Sequence, residues 1–94
     1  MKPIGSFLAQ LAKDFQNQPI VVEVIIKGQW KSLVGDRISN NSLPVSFDEG
    51  TLLVQVSDER WLAELNNLSD EIRRRLNGFF EKEIVTRIQF VQKT

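Results

Sequence analysis

The side chains that most often carry acid–base, thiol or metal chemistry are missing from this chain, which has no histidine, cysteine or tyrosine. Their absence removes the commonest general bases, thiol nucleophiles and metal ligands. Paired carboxylates are the remaining route, and two such pairs occur, Asp48-Glu49 and Asp58-Glu59. Each sits where structure alone asks for it, the first at a turn and the second at a helix start. No glycine-rich phosphate loop is present: Gly28 and Gly35 lie seven apart, and no Lys-Ser/Thr pair follows a glycine in Walker spacing. The expectation is a protein with no catalytic residue, no metal and no cofactor.

Binding is what remains. Arg73-Arg74-Arg75 is the densest charge cluster. Asp70–Arg74 and Glu71–Arg75 are i,i+4 pairs with the acid first, the favourable order. A solvated helix face therefore explains the run better than polyanion contact does. On a helical wheel Arg74 lies opposite the apolar stripe, with Arg73 and Arg75 on its flanks. Arg73, Arg74, Lys82 and Arg87 form the candidate nucleic-acid-binding set, expected to touch single strands weakly. The whole chain carries 12 basic and 12 acidic residues, and net neutrality argues against tight, sequence-blind DNA binding. Trp30 and Trp61 both fall on apolar stripes, which makes core packing the default; the alternative is a partner-binding anchor.

These residues need positioning elements, and 94 residues leave room for one domain with one core. No run of about 18 apolar residues occurs to span a bilayer, and the start is too polar for a signal-peptide core. The chain reads as cytoplasmic. Ile4 to Phe15 places Ile4, Phe7, Leu8, Leu11, Ala12 and Phe15 at helical spacing. Ile20 to Val34 is ambiguous. Its β-branched run favours a strand, whereas Val22, Ile26, Trp30 and Leu33/Val34 share one helical face, Pro19 suits a first turn and Gly35 a C-cap. The helix is preferred.

From Leu43 the period changes to two. Leu43, Val45 and Phe47, then Leu52, Val54 and Val56, flank the turn Asp48-Glu49-Gly50 and predict a β-hairpin. Ser57-Asp58 offers an N-cap. Trp61, Leu65, Leu68, Ile72, Leu76 and Phe79 follow as one helical stripe, with a possible bend at Asn66-Asn67-Leu68-Ser69 and a stop at Asn77-Gly78. Ile84 to Val91 reads as a last strand. The order is α-α-β-β-α-β, an α+β domain with a small three-stranded sheet and helices on one face. The other face would show Leu53, Gln55, Val85, Arg87 and Gln89, with no aromatic of the kind an RRM-type sheet stacks on bases. Leu53 with Val85 and Val91 would make a modest apolar contact surface. The candidate partner-binding residues are Trp30, Leu53 and Val85.

Trp30-x-x-Leu33-Val34-Gly35-x-x-Ile38, Pro44, Gly50-Thr51-Leu52-Leu53-Val54-Gln55-Val56, Trp61-Leu62-x-x-Leu65 and Leu76-Asn77 together resemble the DciA family over roughly residues 20–91. The resemblance implies a KH-like α+β domain that contacts the bacterial replicative helicase and helps place it on single-stranded DNA. A KH domain clamps nucleotides with a GXXG loop, where this chain has Asn66-Asn67-Leu68-Ser69. Relatives often carry basic extensions, whereas this chain ends about three residues beyond the predicted last strand. Helicase contact is therefore expected ahead of DNA contact. Two other readings stay open: a general KH-like nucleic-acid-binding module, and an interaction domain that dimerises through its open sheet face and touches no nucleic acid.

Overall fold

The computed structural model describes Gln10, Asp14 and residues 18–93. The predicted first helix, Ile4 to Phe15, lies outside these residues except for Gln10 and Asp14, which are helical and joined side chain to side chain at 3.2 Å. The described elements are helix α1 (Pro19–Val34), a helical turn α2 (Asp36–Ser39), strands β1 (Ser42–Asp48) and β2 (Thr51–Val56), helices α3 (Glu59–Asn67) and α4 (Ser69–Phe80), and strand β3 (Arg87–Gln92). They build an α+β domain around a three-stranded mixed sheet.

The ambiguous stretch 20–34 is helical. Pro19 occupies the first turn, where its missing N–H is no loss. Its β-branched residues cost at most about 0.7 kcal/mol each in helix propensity. Burying Val22, Ile25, Ile26, Trp30 and Val34 on one face outweighs that, at roughly 1.5–3 kcal/mol for each fully buried large side chain. Gly35 ends the helix at φ 90°, ψ 166°, a backbone region essentially reserved for glycine. The Trp30 indole N–H donates to Ser42 Oγ at 3.1 Å, and the Ser42 hydroxyl donates to the Ile38 carbonyl at 2.6 Å. This chain of bonds ties α1 to the start of β1.

In the sheet β2 is central, antiparallel to β1 and parallel to β3. Glu49 and Gly50 connect β1 to β2, both with positive φ (48° and 81°), as a two-residue primed hairpin turn requires. Gly50 has a second constraint: a Cβ there would lie 2.5 Å from Thr86 Oγ1. Its carbonyl also accepts from Thr86 N and Arg87 N at 2.8 and 3.2 Å, which starts the β2–β3 pairing.

Asp58 caps α3 by accepting from Trp61 N at 2.9 Å. The long apolar stripe is divided at Leu68, in the Asn66–Ser69 stretch expected to bend, so two helices stand where one was predicted. Helix α4 continues past Asn77-Gly78 to Phe80 and stops at Glu81, in left-handed conformation. The extra turn buries Phe80 completely. Asn77 serves otherwise: its Oδ1 accepts from Ile84 N and Val85 N at 3.0 and 2.8 Å, and its Nδ2 donates to the Val85 carbonyl at 2.8 Å. These bonds hold the connection to β3 in an irregular path, and the regular strand begins at Arg87 instead of Ile84.

Candidate interaction surface

Leu52, Val54 and Val56 on β2 and Ile88 and Phe90 on β3 are buried, packed with the helices into one core. The alternate residues therefore face away from the helices. The sequence pattern places β1 less simply. Pro44 pairs with Val54 and Ser46 with Leu53, leaving Val45 as the extra residue of a β-bulge. The bulge reverses the phase of the strand. Pro44 and Phe47 point into the core, while Leu43 and Val45 are 60% and 37% exposed. The expected single set of Leu43, Val45 and Phe47 is thus split between two faces. Pro44 was the available signal, since proline within sheets is confined to edges and bulges.

The pairing registers arrange the outward residues in rows. Leu43, Gln55 and Val91 form one row, Ser46, Leu53 and Gln89 the next, and Asp48, Thr51 and Arg87 the third. Val45 adds to the middle row. The result is an apolar band with an acid at one corner and a base at the other. Neither Asp48 nor Arg87 has an ion-pair partner among the described residues. Beside the Leu43 row, residues including Asn40, Asn41, Gln55, Ser57 and Lys93 line an open cleft of about 190 Å³.

Two of the three candidate partner residues are elsewhere. Trp30 is 4% exposed, with its indole N–H satisfied inside the core. Val85 is fully buried, because Asn77 bends the segment before β3 and turns both Ile84 and Val85 inward. Leu53 does lie at the centre of the open face, half-buried. Leu43 and Val45 are the contributors that the strict alternation concealed. Trp61 is half-buried against the core, with the Arg37 guanidinium 5.3 Å from its ring centroid.

The four candidate nucleic-acid residues do not form one patch. Arg73 is bridged to Glu83 at 3.1 Å and to Asp70 at 3.9 Å. Asp70 thus pairs with Arg73, not with Arg74 as the i,i+4 spacing suggested, while Arg75 meets Glu71 at 3.5 Å as expected. Arg74 and Lys82 are exposed on the helix side of the molecule, and Arg87 lies on the opposite, open sheet face. At the β1 edge of the sheet Glu23 reaches from α1 to the strand backbone. Its carboxylate accepts from Phe47 N at 2.9 Å and from Lys27 Nζ at 3.0 Å, and these bonds, the backbone one first, lower its pKa.

Among the described residues no group of three or more histidine, cysteine, aspartate or glutamate side chains is arranged to hold a metal ion. No described helix is long and apolar enough to cross a membrane. Comparison with known proteins then gives the assignment: residues 3–90 match the family model described as "Dna[CI] antecedent, DciA". The chain belongs to the DciA family. The match begins well before residue 20, where the sequence resemblance started, so the family pattern includes the first segment. A UPF0232 protein of Mycobacterium leprae is 26% identical over 93 residues, covering 99% of this chain and 49% of the relative. One from Mycolicibacterium smegmatis is 25% identical over 88 residues, covering 94% and 45%. Another from that species, described as lying in the recF-gyrB intergenic region, is 24% identical over 88 residues, again covering 94% and 45%. The chain spans about half the length of these relatives.

Proposed function

We propose that this DciA-family chain is a non-catalytic adaptor that contacts a bacterial replicative helicase and assists its placement on single-stranded DNA. The observation that carries the reading is the family match over residues 3–90. The lack of histidine, cysteine and tyrosine is consistent with a role in binding. We read the hairpin, two helices and parallel third strand as KH-like in plan. The nucleotide clamp is not part of that likeness: Asn66-Asn67-Leu68-Ser69 replaces GXXG and is followed by Asp70 and Glu71, which repel phosphate.

DNA contact in this reading is secondary and falls to Arg74 and Lys82, since Arg73 is already held by two carboxylates and Arg87 lies on the opposite face. Two phosphate contacts give a slope of log affinity against log salt of about −1.4 on single strands. The test is co-elution of the purified chain with a purified hexameric replicative helicase, with single-strand binding measured in parallel. A stable co-eluting complex supports the adaptor reading. Absence of any complex at micromolar concentrations of both proteins overturns it, whatever the DNA titration gives.

A further inference from the structure

The open sheet face has a property that its composition alone does not reveal: it is complementary to itself. In the register of the sheet, Leu43 and Val91 end one row on either side of Gln55, and Asp48 and Arg87 end another on either side of Thr51. Consider a second copy laid face to face on the first about a two-fold axis running along β2. That operation places β1 of one copy over β3 of the other at the same row. Leu43 then meets Val91 of the second copy, Leu53 meets its own equivalent, and Asp48 meets Arg87. Each heterotypic contact occurs twice, as an isologous interface demands.

The alternative axis, across the strands, fails the same inspection. It sets Leu43 against Asp48 and Arg87 against Val91, leaving charges over apolar groups. Only one of the two arrangements satisfies both the apolar row and the charged row. Asp48 and Arg87 are also free to respond, having no ion-pair partner among the described residues. We infer that the open face of the sheet is a homodimer interface, with β1 of each copy packed over β3 of the other.

The size of the face fixes how strong this association is. Three strands at roughly 4.8 Å spacing and six residues at about 3.3 Å each give a face of roughly 14 by 20 Å. Two such faces bury less than the about 1,200 Å² at which stable complexes begin. The dimer is therefore reversible and concentration-dependent. Aligned sheets pack about 10 Å apart with a rotation near 30°, which the arginine side chain can span.

The test is sedimentation velocity on the chain alone from low micromolar to millimolar concentration, combined with charge exchange. The sedimentation coefficient of the natural sequence rises with concentration. D48R and R87D each replace two attractive contacts by two repulsive ones and weaken the dimer about tenfold. Mixing D48R with R87D restores association, because every cross-pair is again opposite in charge. Recovery in the mixture is required by the β1-over-β3 arrangement, and equal recovery in a single chain carrying D48R and R87D together, whose net charge is that of the natural chain, separates this pairing from general attraction between oppositely charged faces. A chain that stays monomeric throughout overturns the inference, and so does a dimer that both variants leave intact or that mixing does not restore. Should either variant fail to fold, concentration-dependent NMR shifts of the natural chain decide. Shifts gathered at Leu43, Leu53 and Val91 support the interface, and shifts elsewhere or none refute it. No helicase enters the experiment, so its failure leaves the adaptor reading untouched.

Discussion

Replacing Asn77 with alanine should destabilise the domain more than a half-buried polar residue ordinarily would. The side chain makes three hydrogen bonds to the segment that leads into β3. Not all three are lost equally. Ile84 N also donates to the Lys82 carbonyl at 2.9 Å, so it keeps a partner. Val85 N and the Val85 carbonyl lose theirs, and Val85 is fully buried. Two orphaned backbone groups cost about 1–3 kcal/mol each. Alanine is the better helix former by several tenths of a kcal/mol, which offsets a little. The expected loss is about 2–4 kcal/mol, a large fraction of a total stability of roughly 5–15 kcal/mol. Urea unfolding followed by tryptophan fluorescence measures it, and N77D separates the parts by keeping both acceptor bonds while removing the donor. A loss under about 1 kcal/mol for N77A, with an unchanged urea slope, would show that water satisfies the segment and that Asn77 does not pin it.

G50A should cost about 1–3 kcal/mol, from the strain of its positive φ and the approach to Thr86. Adding T86A should recover the steric share, measured in the same urea assay as a double-mutant cycle. Glu23 has a lowered pKa in the folded chain, so its contribution to stability is present above the pKa it has when unfolded. That contribution is lost as pH falls through the folded value. Melting temperatures of the natural sequence and E23Q should therefore converge in acid and separate toward neutral pH. W61A should cost about 1–3 kcal/mol, below the about 3–5 kcal/mol of a fully buried aromatic, because the ring is half-exposed under Arg37. R37A should cost at most about 1 kcal/mol through that stacking contact, again by urea unfolding.

The features legible in the sequence were those fixed by near neighbours. The hairpin turn at Asp48-Glu49-Gly50, the Asp58 cap and the stripe from Trp61 to Leu76 follow from local spacing, and the structure contains each. Helix α1 was harder, because β-branched propensity and helical periodicity disagreed and only burial against the sheet decides between them. Three details differ from what simple spacing implies. The bulge at Val45 turned Leu43 outward. Asn-Gly usually stops a helix, yet the Asn77 side chain bonds to residues seven and eight positions on. Val85 falls on the outer face only if the alternation of β3 is extended back past the point where the strand begins.

Most of the residues that carried the family resemblance are makers of the fold. Trp30, Val34, Val54, Val56, Leu65 and Leu76 are buried, Gly35 and Gly50 hold positive φ, and Asn77 pins a backbone segment. Such a signature specifies a shape and is silent about which surface does the work, as core positions generally are. The surface that is free to act is composed largely of residues outside it: Leu43, Val45, Asp48, Arg87, Gln89 and Val91, with Thr51, Leu53 and Gln55 the exceptions. A bulge of one residue decides its apolar content, since without it Leu43 and Val45 would share the phase of Phe47 and face the helices. Deleting Val45 tests this origin. It leaves Ser42, Pro44 and Phe47 on one face of a regular strand and Leu43, Ser46 and Asp48 on the other, the same assignment that the bulge now produces. No core side chain is lost, so the deletion should change stability by no more than about 1 kcal/mol in urea unfolding. A loss of about 2–5 kcal/mol, the cost of truncating a core residue, would mean that the shortened strand does not keep these faces and that the extra residue itself holds the phase.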